Sequence, residues 1–195
     1  SNGFKSGGVN QNPTLTEENQ IFDPEDNYNF DFGWRYIDKK ASISINTFYM
    51  YRNNIQLNLS SQLEDANPSS FYFYTANASD GYNYGINMDL NIIPKENLET
   101  YMTIGFLETM INPYQYMIDN TIILVPKRES AHAPSYTYSF GFTKYHNNFY
   151  LSGNITGKDK FYFSDSHNEI SETYSITNID MGYKMSKNIE ISVWG

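Results

Sequence analysis

The sequence predicts an all-β protein, an antiparallel up-and-down meander of about eight strands, and three observations carry that prediction. Aromatic residues make up 17% of the 195, with 18 Tyr and 13 Phe, whereas only 18% are charged. Aromatic side chains fit a pleated, half-buried surface and are scarce in disordered chains and helical bundles. Apolar and polar residues alternate with period two along most of the chain, which puts them on opposite faces of strands. The connections between these runs are alternately short and long, as in a meander with unequal rims.

The strands follow in order. In residues 28–37, Tyr28, Phe30, Phe32, Trp34 and Tyr36 alternate with Asn29, Asp31, Gly33 and Arg35. Residues 41–59 read as one long strand with Ile43, Ile45, Tyr49, Tyr51, Ile55, Leu57 and Leu59 on a common face. Residues 82–92 set Tyr82, Tyr84, Ile86, Met88 and Leu90 against Asn83, Asn87 and Asp89. Met102, Ile104 and Phe106 mark the next strand, and Tyr136, Tyr138, Phe140 and Phe142 the one after. Phe149, Leu151, Ile155, Phe161 and Phe163 predict a strand over 149–163, followed by one through Ile179, Met181 and Tyr183. Ile189, Ile191 and Val193 begin an eighth, which reads as ending in mid-strand at Gly195. Hairpin-type turns are expected at 38–40, 94–97, 147–148 and 186–188, and long polar loops at 60–81, 112–134 and 164–171.

The distribution of side chains along the strands says what surrounds the sheet. Tyr49, Tyr51, Tyr82 and Tyr84 lie toward the long-loop ends, and Trp34, Tyr36, Phe149 and Tyr183 toward the short turns. Aliphatic residues such as Ile43, Ile86, Met88 and Leu90 fall between them. Aromatic girdles on either side of an aliphatic band are the signature of a transmembrane barrel. Asp31, Arg35, Arg52, Asp89, Asp180 and Lys184 fall on the other face, where a wet lumen would solvate them. The alternative is a soluble β-sandwich that buries its aromatic face against a second sheet and binds glycans.

Several functions are excluded or left without support. The net charge of −9 and pI near 4.7 argue against nucleic-acid binding. With no Cys there is no disulfide framework, thiolate metal site or Cys nucleophile. No run of about 18 apolar residues is present, and no signal peptide is read at the start. Asp165, His167 and Glu169 alternate in one loop, but such a spacing is more simply a solvated loop than a metal site. No G-x-S-x-G elbow accompanies a His and an acid, so no catalytic residue is assigned, and no cofactor or metal is expected. The better ligand candidates are loop aromatics, Phe71, Tyr72, Phe73, Tyr74, Tyr114 and Tyr116, with Arg128 to pair an anionic group. The blander reading is that they extend the sheet or pack on other loops.

Two stretches near the start, Gly3-Phe4-Lys5-Ser6-Gly7-Gly8-Val9-Asn10 and Phe22-Asp23-Pro24-Glu25 with Tyr28 to Trp34, are similar to the G-Y-K-S-G-G-F-N segment and to the F-x-P-E stretch with the strand after it in TonB-dependent outer-membrane receptors. Phe48-Tyr49-Met50 with Gln56, Asn77-Ala78 with Tyr84 to Leu90, Ala133-Pro134-Ser135-Tyr136-Thr137, and Ile191 to Gly195 continue the likeness in colinear order. The resemblance implies a single domain over residues 1–195 that is part of a 22-stranded barrel, lacking the plug, the TonB box and the closing strand. It implies a receptor in the bacterial outer membrane importing a ferric siderophore, haem, cobalamin or glycan. Its partners would be outer-membrane lipid, that small solute, and the TonB complex reached through the missing N-terminal part.

Overall fold

The computed structural model describes residues 1–13, 15, 17–62, 67, 71–118, 121–166 and 168–195. β1 (Asn2–Lys5) leads into a long connection that holds β2 (Gly8–Val9), the single-turn helix α1 (Glu17–Gln20) and β3 (Ile21–Phe22). β4 (Glu25–Ile37) and β5 (Ala41–Asn53) form a tight hairpin, and the next long connection holds β6 (Gln56–Gln62) and β7 (Phe71–Asn77). β8 (Gly81–Lys95) and β9 (Leu98–Ile111) form the second hairpin, followed by β10 (Tyr114–Ile118) and β11 (Thr121–Val125). β12 (Tyr136–His146) and β13 (Phe149–Lys158) form the third, followed by β14 (Phe161–Tyr162) and β15 (Ile170–Ser171). β16 (Tyr174–Lys184) and β17 (Glu190–Trp194) complete the chain.

Among the described residues, nine strands make one antiparallel sheet in the order β1-β4-β5-β8-β9-β12-β13-β16-β17, with no crossover. The expected meander is therefore present, with one more strand than the eight expected, because residues 2–5 pair with the start of β4. Every long connection carries its own two-stranded piece, and these all rise from the same rim. The turns at the other rim are short; Asn147 adopts φ 53° in the two-residue link between His146 and Phe149. Asn tolerates the left-handed conformation that such a hairpin requires.

Two expected strands are corrected. Residues 41–59 are not one strand: Asn54 has φ 57° and its amide donates to Pro24 O at 2.9 Å, so β6 leaves the wall and pairs with β7 instead. Residues 149–163 also divide, because the Asp159 carboxylate accepts from Lys160 N–H at 2.8 Å and Thr173 Oγ1 at 2.9 Å and turns the chain after β13. The segments expected as polar loops at 60–81, 112–134 and 164–171 contain hairpin strands.

The register fixes the faces. Tyr36, Ile43, Leu90, Met102, Phe140, Ile155 and Thr177 lie in one row across seven strands. The adjacent row on the opposite face is Arg35, Ser44, Asp89, Thr103, Ser139, Thr156 and Ile176. Because the side-chain period is two, this agreement over many strands leaves no room for a slip. Charged residues on the apolar face stand toward strand ends, Glu108 opposite Tyr84 at the long-connection end and Lys144 opposite Leu98 at the short-turn end.

That apolar face is uncovered. Phe30 is 68% exposed, Phe32 61% and Met181 56%, and among the described residues no second sheet of comparable size is present to cover them. A soluble sandwich would bury such residues, so the sandwich alternative does not fit. The buried core sits at the long-connection rim, where Leu15, Ile55, Leu57, Leu59, Tyr74, Ile111, Tyr114 and Val125 form one cluster. On the polar face the wall is tight in places. A Cβ at Gly85 would collide with the Phe106 carbonyl and lie 2.9 Å from the Phe48 ring, which folds over the glycine. Tyr101 lies over Gly141 and Tyr150 over Gly182 in the same manner, at every second strand pair.

Candidate functional site

The long-connection rim is built from residues whose polar side chains bind backbone. Glu25, at the start of β4 and 3% exposed, accepts from Arg52 Nε at 2.8 Å, Arg52 Nη2 at 3.0 Å and Gln56 N–H at 2.8 Å. The Gln56 amide donates to Ser6 O and Asp23 O, each at 2.9 Å. Asn77 Oδ1 accepts from Asp23 N–H at 2.7 Å, and its amide donates to Asp23 O at 3.0 Å and Asn54 O at 3.1 Å. Asn10 pairs with Thr75 in both directions, its amide to Thr75 O at 2.7 Å and its Oδ1 from Thr75 N–H at 2.9 Å. The described residues between Ser6 and Pro24 thus form a strap stitched to β6 and β7 by three side chains, Asn10, Gln56 and Asn77.

Asp80 joins the same rim to the outer aromatic row. Tyr51 Oη donates to it at 2.9 Å, and Asn112 Nδ2 and Ser79 Oγ donate at 3.1 and 3.0 Å. The Asn112 amide, then the Tyr51 hydroxyl, hold its carboxyl below the usual carboxylate range. On the apolar face beside it, Tyr28 stands 6.4 Å from Tyr51 and Tyr82 5.9 Å from Tyr84, ring centre to ring centre.

The β6–β7 and β10–β11 hairpins both contribute to this hydrophobic cluster, and this sets where the aromatic candidates lie. Tyr72 stacks on Tyr74 at 6.0 Å and Tyr114 on Tyr116 at 6.2 Å. Tyr74 and Tyr114 are buried, at 4% and 8% exposure, while Tyr72 and Tyr116 pack against the edge of the cluster. Phe73 points to the opposite side of its strand and is 74% exposed. Burial raises the Tyr74, Tyr114 and Tyr116 hydroxyls above the usual tyrosine range, so they serve as neutral hydrogen-bonding groups and not as phenolates. The Tyr114 hydroxyl donates to Asp165 O at 2.9 Å, tying this hairpin to the fourth long connection.

Arg128 stands at that junction. Its backbone bridges Ile111, Nη2 donates to Ser164 O at 2.9 Å, and its guanidinium lies 4.4 Å from the centre of the Tyr162 ring. The structure therefore brings Tyr72, Tyr74, Tyr114, Tyr116 and Arg128 to one rim, sends Phe73 to another surface, and places the Phe71 backbone at the start of β7. Asp165 accepts from Ala131 N–H at 2.6 Å, a loop-stapling role, and His167 of the alternating Asp-His-Glu set lies outside the described residues.

The strap is not legible in the sequence. Its residues were visible only as motif letters, because partners 31 to 65 positions apart leave no local pattern. Between the strap, β7 and β10 lies a cavity of about 240 Å³, whose lining includes Asn19, Asp23, Thr75, Asn77, Gln115 and Tyr116.

A family model described as TonB dependent receptor-like, beta-barrel, matches residues 1–195. No curated protein matches the sequence. Among solved structures, the chain is similar to the ferric yersiniabactin uptake receptor FyuA from Yersinia pestis, at 16% identity and TM-score 0.76, over 100% of this chain and 28% of that one. It is similar to the siderophore receptor PiuA from Acinetobacter baumannii at 14% identity and TM-score 0.71, over 92% of this chain and 25% of that one. The copper transporter OprC aligns at 13% identity and TM-score 0.65, over 89% of this chain and 26% of that one. The chain spans about a quarter of the length of these structures, and at such identities the likeness is one of fold.

Proposed function

We propose, for a chain that belongs to the TonB-dependent receptor-like β-barrel family, a role as part of an outer-membrane receptor that captures a scarce solute and imports it with energy delivered by TonB. The observation that carries this reading is the division of the molecule into an uncovered apolar wall and a folded cap on one rim only. Strands β4, β5, β8 and β9 have 13 to 15 residues, more than the roughly 9–11 that cross a bilayer. Their exposed apolar face suits outer-membrane lipid, and the polar face suits a wet lumen. In this reading residues 1–195 are one partial barrel domain. TonB would be engaged through a part of the receptor outside this sequence, and the solute class is a ferric siderophore, haem, cobalamin or glycan. Ferric complexes are the first to test, since FyuA and PiuA are siderophore receptors by description.

Solute contact falls to the cap, because binding residues concentrate on loops held by a rigid scaffold. Phe71, Tyr72, Phe73, Tyr116 and Arg128 are the contact residues in this proposal, with Tyr74 and Tyr114 as the packed base beneath them. In the intact receptor, Tyr72→Ala, Phe73→Ala, Tyr116→Ala or Arg128→Ala should weaken solute binding by about tenfold, the worth of a good contact. Lys39→Ala, Lys95→Ala and Lys187→Ala at the short turns should leave binding unchanged. Titration of both sets with the imported solute is the test, and dependence on the short-turn lysines alone would invert the assigned orientation.

The lipid-facing assignment has its own test. Met88 lies in the middle of β8 on the apolar face, with Ile45 and Ile104 beside it. An Arg at position 88 should cost roughly 2–4 kcal/mol near the bilayer midplane, read by denaturant titration of the intact receptor in lipid. Asn87→Arg, on the opposite face, should cost far less. Equal costs would contradict the assignment.

A further inference from the structure

The cavity between the strap and the two hairpins has a definite chemistry. Its lining includes Asp23 with a carboxylate, Asn19 and Gln115 with amides, and Tyr116 with a ring, and among the described residues no Lys, Arg or His lines it. Asp23 is exposed at its side chain, and its backbone, not its carboxylate, is what Asn77 and Gln56 hold. Gln56, the register partner of lining residue Asn77, is 6% exposed, and its Oε1 accepts no hydrogen bond among the described residues. The described lining is thus rich in acceptors and holds no cation, while Arg52 and Lys5, which stand beside Gln56, act on the Glu25 carboxylate.

The charge of the whole chain is segregated in the same sense. The long connections 6–24, 54–80, 112–135 and 159–173 hold twelve acidic residues against Lys127, Arg128 and Lys160, a difference of −9, which is the entire net charge of the chain. The connections that bound the cavity from the strap side and the β6–β7 side, 6–24 and 54–80, hold six acidic residues and no basic one. Of the cations of the rim, Arg52 is paired with Glu25 at 2.8 Å, Lys5 acts on the same carboxylate, and Arg128 is engaged with Ser164 and Tyr162. A mouth with one sign of charge concentrates solutes of the opposite sign and slows the approach of like-charged ones.

We infer that this cavity receives an ammonium-bearing arm of the imported solute, with the Asp23 carboxylate as its counter-ion and Tyr116 as an aromatic wall. The space accommodates an alkylammonium chain, and the acceptors match its N–H donors. The inference deepens the import reading above and rests on it. It also separates this cap from one built for polyanionic ferric complexes, for which the rim offers no cluster of free cations at the cavity.

The intact receptor provides the test, with three probes: a ferric trihydroxamate carrying a free terminal ammonium, the same complex N-acetylated at that ammonium, and a trianionic ferric triscatecholate. The ammonium form should bind about tenfold more tightly than the acetylated form, the worth of one charge-assisted contact at a partly exposed site. Asp23→Asn should remove that advantage while leaving affinity for the acetylated complex unchanged, because the backbone stitches to Asn77 and Gln56 remain. Equal binding of the first two probes, tightest binding of the triscatecholate, binding of none, or an Asp23→Asn variant that keeps the discrimination would each overturn the inference. Uptake by cells with and without TonB reports separately on import: bound ammonium complex that never enters by a TonB-dependent route would defeat the import reading and leave the site standing.

Discussion

Replacing Glu25 by Ala should destabilise the long-connection rim by about 3–5 kcal/mol, the cost of removing one partner from a buried ion pair. Glu25 is almost fully buried and serves three donors at once, two from Arg52 and one from the backbone of Gln56. Its loss leaves a guanidinium only 21% exposed without its counter-charge and a buried N–H without an acceptor. The strap should then loosen at both ends, because Gln56 also holds Ser6 O and Asp23 O. Denaturant titration of the intact receptor measures the energy, and limited proteolysis within residues 6–24 measures the detachment. Glu25→Ala combined with Arg52→Ala should cost less than the two changes summed, since the unpaired charge disappears with its partner. Additive costs would show that the pair contributes no coupling and that the strap is held by its backbone contacts alone.

The wall of the sheet was legible in the sequence because one physical rule writes it. A strand between lipid and water, or between any apolar and polar medium, must alternate, and residues 82–92 do so without a break. The departure at Asn54 was not legible for the same reason. Ile55, Leu57 and Leu59 continue the odd-numbered phase of Tyr49 and Tyr51, so alternation alone cannot register that the chain has left one sheet for another. Only the left-handed Asn54 marks the junction, and an Asn among several Asn residues carries no distinguishing signal.

The cap was legible in composition but not in arrangement. The run Phe71-Tyr72-Phe73-Tyr74 identifies an aromatic strand, yet which of its faces is buried depends on a hairpin some forty residues later in the chain. Composition alone therefore groups Tyr74 and Tyr114 with the other ligand candidates, whereas the fold packs them into its core. Resemblance pointed to Asp23-Pro24-Glu25, Gln56 and Asn77 as separate motifs. Their convergence at one stitched strap explains the residue types at three of these positions: Glu25, Gln56 and Asn77 each supply a side-chain donor or acceptor to backbone that would otherwise be unpaired at the rim.

Leu59→Ala should destabilise the cap by about 2–5 kcal/mol through lost burial and the cavity left behind. Leu59 is 1% exposed, lies opposite Tyr74 in the β6–β7 register, and belongs to the cluster that both hairpins share. The wall strands carry no part of that burial apart from Ile111 at the top of β9, so the damage should stay local. Hydrogen exchange on the intact receptor should therefore quicken in β6, β7, β10 and β11 while β8 and β12 keep their protection. Phe73→Ala, at a site 74% exposed on the other side of the same hairpin, should leave exchange in all of these strands near its original rate. Loss of solute affinity in Leu59→Ala together with an intact wall would place recognition in the folded cap. Uniform loss of protection across cap and wall would show instead that the hairpins and the barrel unfold as one unit, and that the cap has no stability of its own to lose.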